Sequence, residues 1–302
     1  MKAAAFSEFG GPEVLRVMEL ETPEAGAGQV RVRVKAAGVQ PFDVAVRQGW
    51  SPAGVTGGLP RIPGNEFAGI VDQVGEGVSG VSAGDEVLGF NLLNSYAEYV
   101  VVPAENVTAK PANMPWEVAG GFTAGTQTAH IALRQLGVGE GDTVLVHAAA
   151  GSVGTAAVQL ARLWGARVIG TAREENHDYL RSLGATPVAY GDGLLERVRA
   201  LAPGGVDMVL DGAGGAALEV SLQLVKGERV VTLVEHERAE ELGVQLTQGV
   251  RLASRLAELA DLYADGRLTF HVRRTYPLDR AADAHREVET GHGRGKVVLA
   301  VG

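Results

Sequence analysis

The stretch "DTVLVHAAAGSVGTAAVQLARLWGARVIGTAR", residues 142–173, constrains the fold more than any other part of the chain. It reads as an apolar run at 143–147, a turn of small residues at 148–154, a helix-compatible run at 153–164 ending at Gly165, and a second apolar run at 167–171. That is one βαβ unit, the context a dinucleotide-binding turn requires. Ala149, Gly151 and Gly154 take the three small-residue places, with alanine standing where the first glycine is usual. Small residues let the backbone approach a pyrophosphate, and the start of the helix, at Ser152 and Val153, offers unpaired N–H groups and a partial positive charge. Any tight strand-to-helix turn favours glycine for its own geometry. Here the flanking strands and helix occur in order, so nucleotide binding is the expected use.

The first third of the chain is β-rich. Val30, Val32 and Val34 alternate with Arg31, Arg33 and Lys35, the period of a strand with one buried face. Further strands are expected at 67–74, 86–90 and 96–102, separated by "GEGVSG" and "AGD". Short strands at this spacing suggest a small barrel rather than a parallel sheet. After "KPANMP" a helix is expected at 116–136. Strands then alternate with helices: strands at 143–147, 167–171, 186–190, 206–211 and 229–234, helices at 194–201 and 216–225 among them. This is the pattern of a doubly wound, mostly parallel sheet. Leu252, Leu256, Leu259 and Tyr263 mark an amphipathic helix, and the apolar run 297–301 is too short to stand alone, so the tail is expected to return to the first domain.

Composition excludes several classes. A chain of 302 residues fits two domains, and 46% hydrophobic against 21% charged residues is ordinary globular usage. A net charge of −9 argues against a nucleic-acid binder. With no cysteine, disulfides, thiolate zinc sites and cysteine nucleophiles are impossible. The segment "MKAAAFSEFGG" lacks the apolar centre of a signal peptide and no run approaches a membrane span, which predicts a soluble cytoplasmic protein without a membrane partner.

Read together, "GGPEVLRV" (10–17), "AAGVQPFDVAVRQG" (36–49), "IPGNEFAGIV" (62–71), "YAEYVVVPA" (96–104), the βαβ stretch and "GRGKVVLAV" (293–301) resemble the medium-chain dehydrogenase/reductase superfamily, specifically its zinc-free quinone oxidoreductase (ζ-crystallin-like) branch. The resemblance implies an α/β chain in two parts. A GroES-like β-barrel catalytic domain would take residues 1–118 and 252–302. A doubly wound Rossmann nucleotide-binding domain would take residues 119–251. It also implies NADPH as cofactor, a small-molecule substrate and a homodimer. Zinc-containing relatives place a cysteine ligand after "AGV" and a histidine in "GHE". This chain has Gln40 and Asn65 there, so no metal is expected.

After the second strand of the nucleotide unit the chain reads Thr171, Ala172, Arg173, without the carboxylate that accepts from an NAD ribose. Arg173 would instead pair with a 2′-phosphate. Glu174 and Glu175, which follow, read as acids complementing a helix start. The family implies that His177 and Tyr190 line the same pocket, although Tyr190 is equally a half-buried strand residue. The resemblance places Gly212 and Leu233 in loops passing the cofactor, at 211–215 and 232–234, although Gly214 and Gly215 read equally as a bare turn into a helix. Arg294 and Lys296 reach its phosphates if the tail folds back, or are exposed charges if it does not.

At the reacting centre the resemblance brings Gln40 in place of the usual asparagine, Asp43 at an acidic position, and Thr128 beside the nicotinamide. Asp43 is alternatively a helix-cap residue, and Thr128 an ordinary helix hydroxyl. Many members carry a tyrosine five residues after the asparagine, whereas here Ala45 stands. Tyr96 or Tyr99 is a substitute only if it faces inward; otherwise protonation comes from water. The expected activity is zinc-independent, NADPH-dependent hydride transfer to a quinone or an α,β-unsaturated carbonyl. The alternatives are an enoyl-thioester reductase, which the missing tyrosine disfavours, and an NADPH-binding structural or sensor protein with little turnover.

Overall fold

The computed structural model describes residues 1–55 and 58–302. It resolves into two units, Met1–Ala124 with Arg251–Gly302, and Gly125–Val250. The family resemblance implied boundaries at 118/119 and 251/252. The division at 124/125 falls inside the helix Trp116–Leu136, which runs unbroken. Glycines tie the first half of that helix to the first unit. A β-carbon on Gly120 would stand 2.5 Å from Ala36 Cβ, and one on Gly121 2.8 Å from Lys296 Cγ.

The first unit is organised by the strand Gln29–Val39. Its first half pairs antiparallel with Tyr99–Pro103, its second half with Lys296–Ala300, and its other edge with Glu66–Val74. Val30, Val32 and Val34 are buried while Arg31, Arg33 and Lys35 are not, as the alternation requires. From Ala36 to Val39 every residue is buried, because the helix carrying Gly120 covers the second face there. The returning tail completes this sheet. Val272–Pro277 pairs parallel with Lys296–Ala300 across the helix Ala281–Glu289, a crossover unit the sequence reading lacks. Phe6, Phe67, Tyr96, Val297 and Leu299 lie in the core.

The second unit is a six-stranded parallel sheet in the order Thr186–Val188, Arg167–Thr171, Thr143–Val146, Met208–Asp211, Val230–Thr232, Gln245–Leu246. The central strands Thr143–Val146 and Met208–Asp211 are buried throughout, as strands covered on both faces must be. Leu145, Ile169, Val209 and Val230 form the core with Val198 and Leu218 from the helices. Strand order reverses at Thr143–Val146, so the turn that follows it opens at the topological switch point, where such sheets bind ligands. Among the described residues no helix is long and apolar enough to cross a membrane.

Candidate functional site

In the second unit, the turn after Thr143–Val146 is built by steric compensation. Ala148 has φ 54°, and Ala149 N donates to Thr171 O at 3.0 Å, locking the turn to the neighbouring strand. The methyl of Ala149, which replaces the expected first glycine, is accommodated because its neighbour is Gly170. A β-carbon there would stand 2.8 Å from Ala149 Cβ. Gly154 lets the helix Ser152–Leu163 seat on the turn, since a β-carbon would meet Ala148 O at 2.4 Å and Ala149 Cα at 2.6 Å. Gly151 is different: its nearest atom would be Ala148 O at 3.3 Å, so its bare side is open.

The helix start has no side-chain cap and no acid in its first turn. Ser152 Oγ is buried without a hydrogen-bond partner among the described residues. An uncapped helix N-terminus, an orphaned hydroxyl and a glycine cradle fit a nucleotide phosphate. Val153 lies half-buried beside them.

Around this turn the sequence-derived residues divide. Arg173 and Tyr190 come together, the guanidinium Nε donating to the phenol oxygen at 2.9 Å on an exposed face. His177 instead directs Nε2 to Ala172 O at 3.3 Å. Thr171 is buried, and its hydroxyl accepts from Ala148 N at 3.2 Å and faces His147 Nδ1 at 3.2 Å. Gly212 and Leu233 lie in two loops joined by Asp211. One Asp211 oxygen accepts from Ala213 N and Gly214 N at 3.0 and 2.9 Å, and the other from Thr232 Oγ1 at 2.8 Å. Leu233 N donates to Asp211 O at 2.8 Å. Thr128 is half-buried on its helix.

His147 was not singled out by sequence reasoning, and Asp211 only as the start of a loop passing the cofactor, although each closes an apolar strand run with a polar residue. His147 Nε2 lies 2.9 Å from Ser221 Oγ, whose proton goes to Ala217 O. Nε2 therefore carries the ring proton, and burial lowers the pKa to about 4, keeping the ring neutral.

The first unit holds a second constellation. Gln40 stands at the start of the helix Pro41–Arg47, and Asp43 reaches back to accept from Gln40 N at 3.0 Å, the cap alternative raised by the sequence. The same carboxyl accepts from Gly64 N at 3.2 Å and from the Tyr96 hydroxyl at 2.9 Å. Asp43 is thus a clamp between the segments carrying Gln40 and Asn65. It is 0% exposed, and all its oxygens are engaged. Burial raises its pKa to about 7, against the pull of Lys296 and the Tyr96 and Gln40 hydrogen bonds. Tyr96 is equally buried and committed to Asp43, with its own pKa pushed up by burial and the neighbouring carboxyl. It does not stand in for the tyrosine missing at Ala45. Tyr99, the other candidate, lies under the Arg31 guanidinium at 5.3 Å.

Beside the clamp, five polar side chains interlock. Lys296 pairs with Glu66 at 2.6 Å, both buried, and also donates to Gln40 Oε1. Gln40 Nε2 donates to Asn65 Oδ1, and Arg251 donates to Asn65 O at 2.9 Å and to Asn65 Oδ1 at 3.3 Å. Glu66 accepts from Ala124 N at 2.6 Å as well. Glycine makes room for the pair, because a β-carbon on Gly38 would stand 2.0 Å from Glu66 Oε1.

The tail therefore returns as expected, but its two basic residues part. Arg294 Nε points to His271 Nε2 at 3.3 Å, whereas Lys296 is sequestered with Glu66 and its ammonium is not presented as a phosphate ligand. Sequence reasoning missed Glu66 and Arg251. A glutamate opening an apolar strand was the available signal for the first, and Arg251 carried none.

A zinc ion does not fit this arrangement. Gln40 and Asn65 present neutral amides bonded to each other, with an ammonium and a guanidinium alongside. Among the described residues no cluster of three His, Cys, Asp or Glu side chains is placed to hold a metal.

Residues 26–112 match the family described as alcohol dehydrogenase GroES-like domain, and residues 183–299 that described as zinc-binding dehydrogenase. The human synaptic vesicle membrane protein VAT-1 homolog is 31% identical over 100% of this chain and 87% of its own length. The NADPH-dependent alkenal/one oxidoreductase, chloroplastic, of Arabidopsis thaliana is 32% identical over 99% of this chain and 79% of its own. Among solved structures, an NAD-dependent alcohol dehydrogenase superposes with TM-score 0.87 at 34% identity, covering 100% of both chains. The Escherichia coli quinone oxidoreductase complexed with NADPH superposes with TM-score 0.86 at 27% identity, over 99% of this chain and 100% of the other.

Proposed function

The chain belongs to the medium-chain dehydrogenase/reductase superfamily, in its quinone oxidoreductase branch, and is an oxidoreductase; we propose that it takes hydride from NADPH and delivers it to quinones and α,β-unsaturated carbonyls without zinc. The observation that carries this reading is the Gln40–Asn65 amide pair braced by Lys296 and Arg251 where zinc relatives keep metal ligands. Bound nicotinamide supplies the hydride. This chain's own groups bind and orient the cofactor and the acceptor.

Gly151 leaves room for the pyrophosphate, and the uncapped helix start at Ser152 donates to it. Arg173, oriented by Tyr190, pairs with the 2′-phosphate, and no carboxylate competes at residues 171–173. The names of the Arabidopsis and Escherichia coli proteins support NADPH, whereas that of the alcohol dehydrogenase names NAD, so the comparison of cofactors belongs to the test. On the acceptor side, the first unit offers amide donors for the charge that develops on oxygen. Asp43 and Tyr96 are sealed from solvent and bonded to each other, so the final proton comes from water.

Oxidation of NADPH and NADH, followed by loss of nicotinamide absorbance over a panel of quinones and enones, tests the proposal. Turnover with NADPH and much weaker turnover with NADH is the expected result. No acceptor-dependent oxidation of either cofactor overturns it.

A further inference from the structure

Resting on that oxidoreductase reading, we infer that Asn65 and Gln40 form a two-amide oxyanion site for the acceptor, with Lys296 and Arg251 as the positioning residues that turn both amide nitrogens into available donors. A carboxamide has an accepting end and a donating end of similar size, so its neighbours decide which way it faces. An ammonium only donates, so Gln40 Oε1 must face Lys296. That turns Gln40 Nε2 toward Asn65, whose Oδ1 receives it and also faces the Arg251 guanidinium at 3.3 Å. Reversing either amide would press an NH2 group against a cation.

With both oxygens taken, Asn65 Nδ2 is left over. It has no acceptor among the described residues, on a residue that is 4% exposed where Asp43 and Tyr96 are fully enclosed. Gln40 Nε2 keeps a second N–H beyond the one given to Asn65. Lys296 is neutralised by Glu66 at 2.6 Å, and the Arg251 guanidinium, whose charge Glu66 and Asp43 offset in part, stands directly against the amides. Asp43 fixes the spacing by holding Gln40 N and Gly64 N in one carboxyl.

The chemistry this site serves is specific. In enone reduction a C–H bond of the reduced nicotinamide would break, and hydride, carrying both electrons of that bond, would form a C–H bond at the β-carbon. The C=C π pair moves to the adjacent bond and the carbonyl oxygen takes the negative charge as an enolate. The amide N–H groups donate to that oxygen, and a proton from water then closes the α-carbon, giving the saturated ketone and oxidised cofactor. A quinone takes the same two electrons and carries its charge on oxygen as the hydroquinone monoanion. The site therefore selects acceptors whose reduced form is an oxyanion.

The probe is 4-nitrophenol, whose phenolate oxygen mimics the enolate and whose absorbance reports its ionisation, titrated into the full chain with and without NADP⁺. Wild-type protein is expected to bind the phenolate and lower its apparent pKa. Asn65→Ala should weaken phenolate binding at least about tenfold and lower kcat for enones about a hundredfold, leaving the KM for NADPH unchanged. Asn65→Asp, nearly isosteric, replaces the donor by an anion and should abolish phenolate binding in a protein of native circular dichroism. Arg251→Gln should lose the phenolate pKa shift, and Arg251→Lys should restore part of it, an effect loss of packing alone would not reverse. An Asn65→Ala variant with wild-type kcat and wild-type phenolate binding overturns the inference while leaving the proposed function standing. A wild-type protein that binds phenolate through Asn65 but reduces no acceptor upholds the site and overturns the function.

Discussion

Replacing Asp43 by asparagine should leave the chain within about 1 kcal/mol of wild type at pH ~5 and make it the more stable of the two at pH ~8. Asp43 is 0% exposed, and its pKa rises from 3.8 to about 7. The folded state holds the proton more tightly than the unfolded state, so stability falls as pH rises between about 4 and 7. Integrating those two values gives a penalty of about 1.7 kcal/mol at pH ~5 and about 4 kcal/mol at pH ~8, a change of roughly 2.5 kcal/mol. Asparagine never ionises and escapes that change. It does lose one partner, because a carboxyl accepting from Gln40 N, Gly64 N and Tyr96 is replaced by an amide with one accepting atom. An unmade buried hydrogen bond costs about 1–3 kcal/mol at either pH. Guanidinium titrations of both proteins at pH ~5 and ~8, followed by tryptophan fluorescence, measure the difference. The stability gap should move by roughly 2.5 kcal/mol in favour of asparagine on going to the higher pH. His147 and His285, whose pKa values fall to about 4 and about 3, are common to both chains and cancel. Parallel pH profiles would refute the reasoning, since they would mean Asp43 titrates alike folded and unfolded.

Gly38→Ala drives a methyl to 2.0 Å from Glu66 Oε1 and should cost about 3–5 kcal/mol by splitting a buried ion pair, read as a lower Tm. Gly204→Ala, with nothing within 4 Å, is the control that should leave Tm unchanged. Arg173→Ala should weaken NADPH binding by about 1.5–3 kcal/mol in titration calorimetry and leave NADH binding alone; equal losses for both cofactors would remove the 2′-phosphate assignment. Gly151→Val should be folded by circular dichroism but unable to bind NADPH, its nearest neighbour being Ala148 O at 3.3 Å, whereas Gly154→Val should fail to fold normally against Ala148 O at 2.4 Å. Retention of NADPH by a folded Gly151→Val protein would show that turn to be structural only.

Much of the architecture was legible because hydrophobic period reports burial directly. Glu86–Phe90, Arg167–Thr171, Trp116–Leu136 and Leu194–Leu201 fall where the pattern placed them. Strands shortened at their ends, as at Thr186–Val188, Met208–Asp211 and Val230–Thr232, because the apolar run continues past the last ladder pair into loops where Tyr190 and Val234 are exposed. The two-residue strand Gln245–Leu246 is too short to carry any period. In the site, the glycine turn was readable because its steric demand is local. The tolerance of Ala149 was not readable there, because Gly170, which makes room for its methyl, lies on the neighbouring strand. The cap role of Asp43 was visible three residues from Gln40, but its bonds to Gly64 and Tyr96 were not. Arg251 and Lys296 lie more than 180 residues from the side chains they orient, and only folding brings them there.

If the Gln40 and Asn65 amides with their fixed cations replace the zinc of related enzymes, the protein needs no metal for turnover. The protein is dialysed exhaustively against a chelator, its metal content is determined by elemental analysis, and NADPH-dependent reduction of an enone and a quinone is then assayed. Full turnover by metal-free protein is the predicted result. Activity that disappears with a stoichiometric metal and returns when zinc is restored would contradict the account.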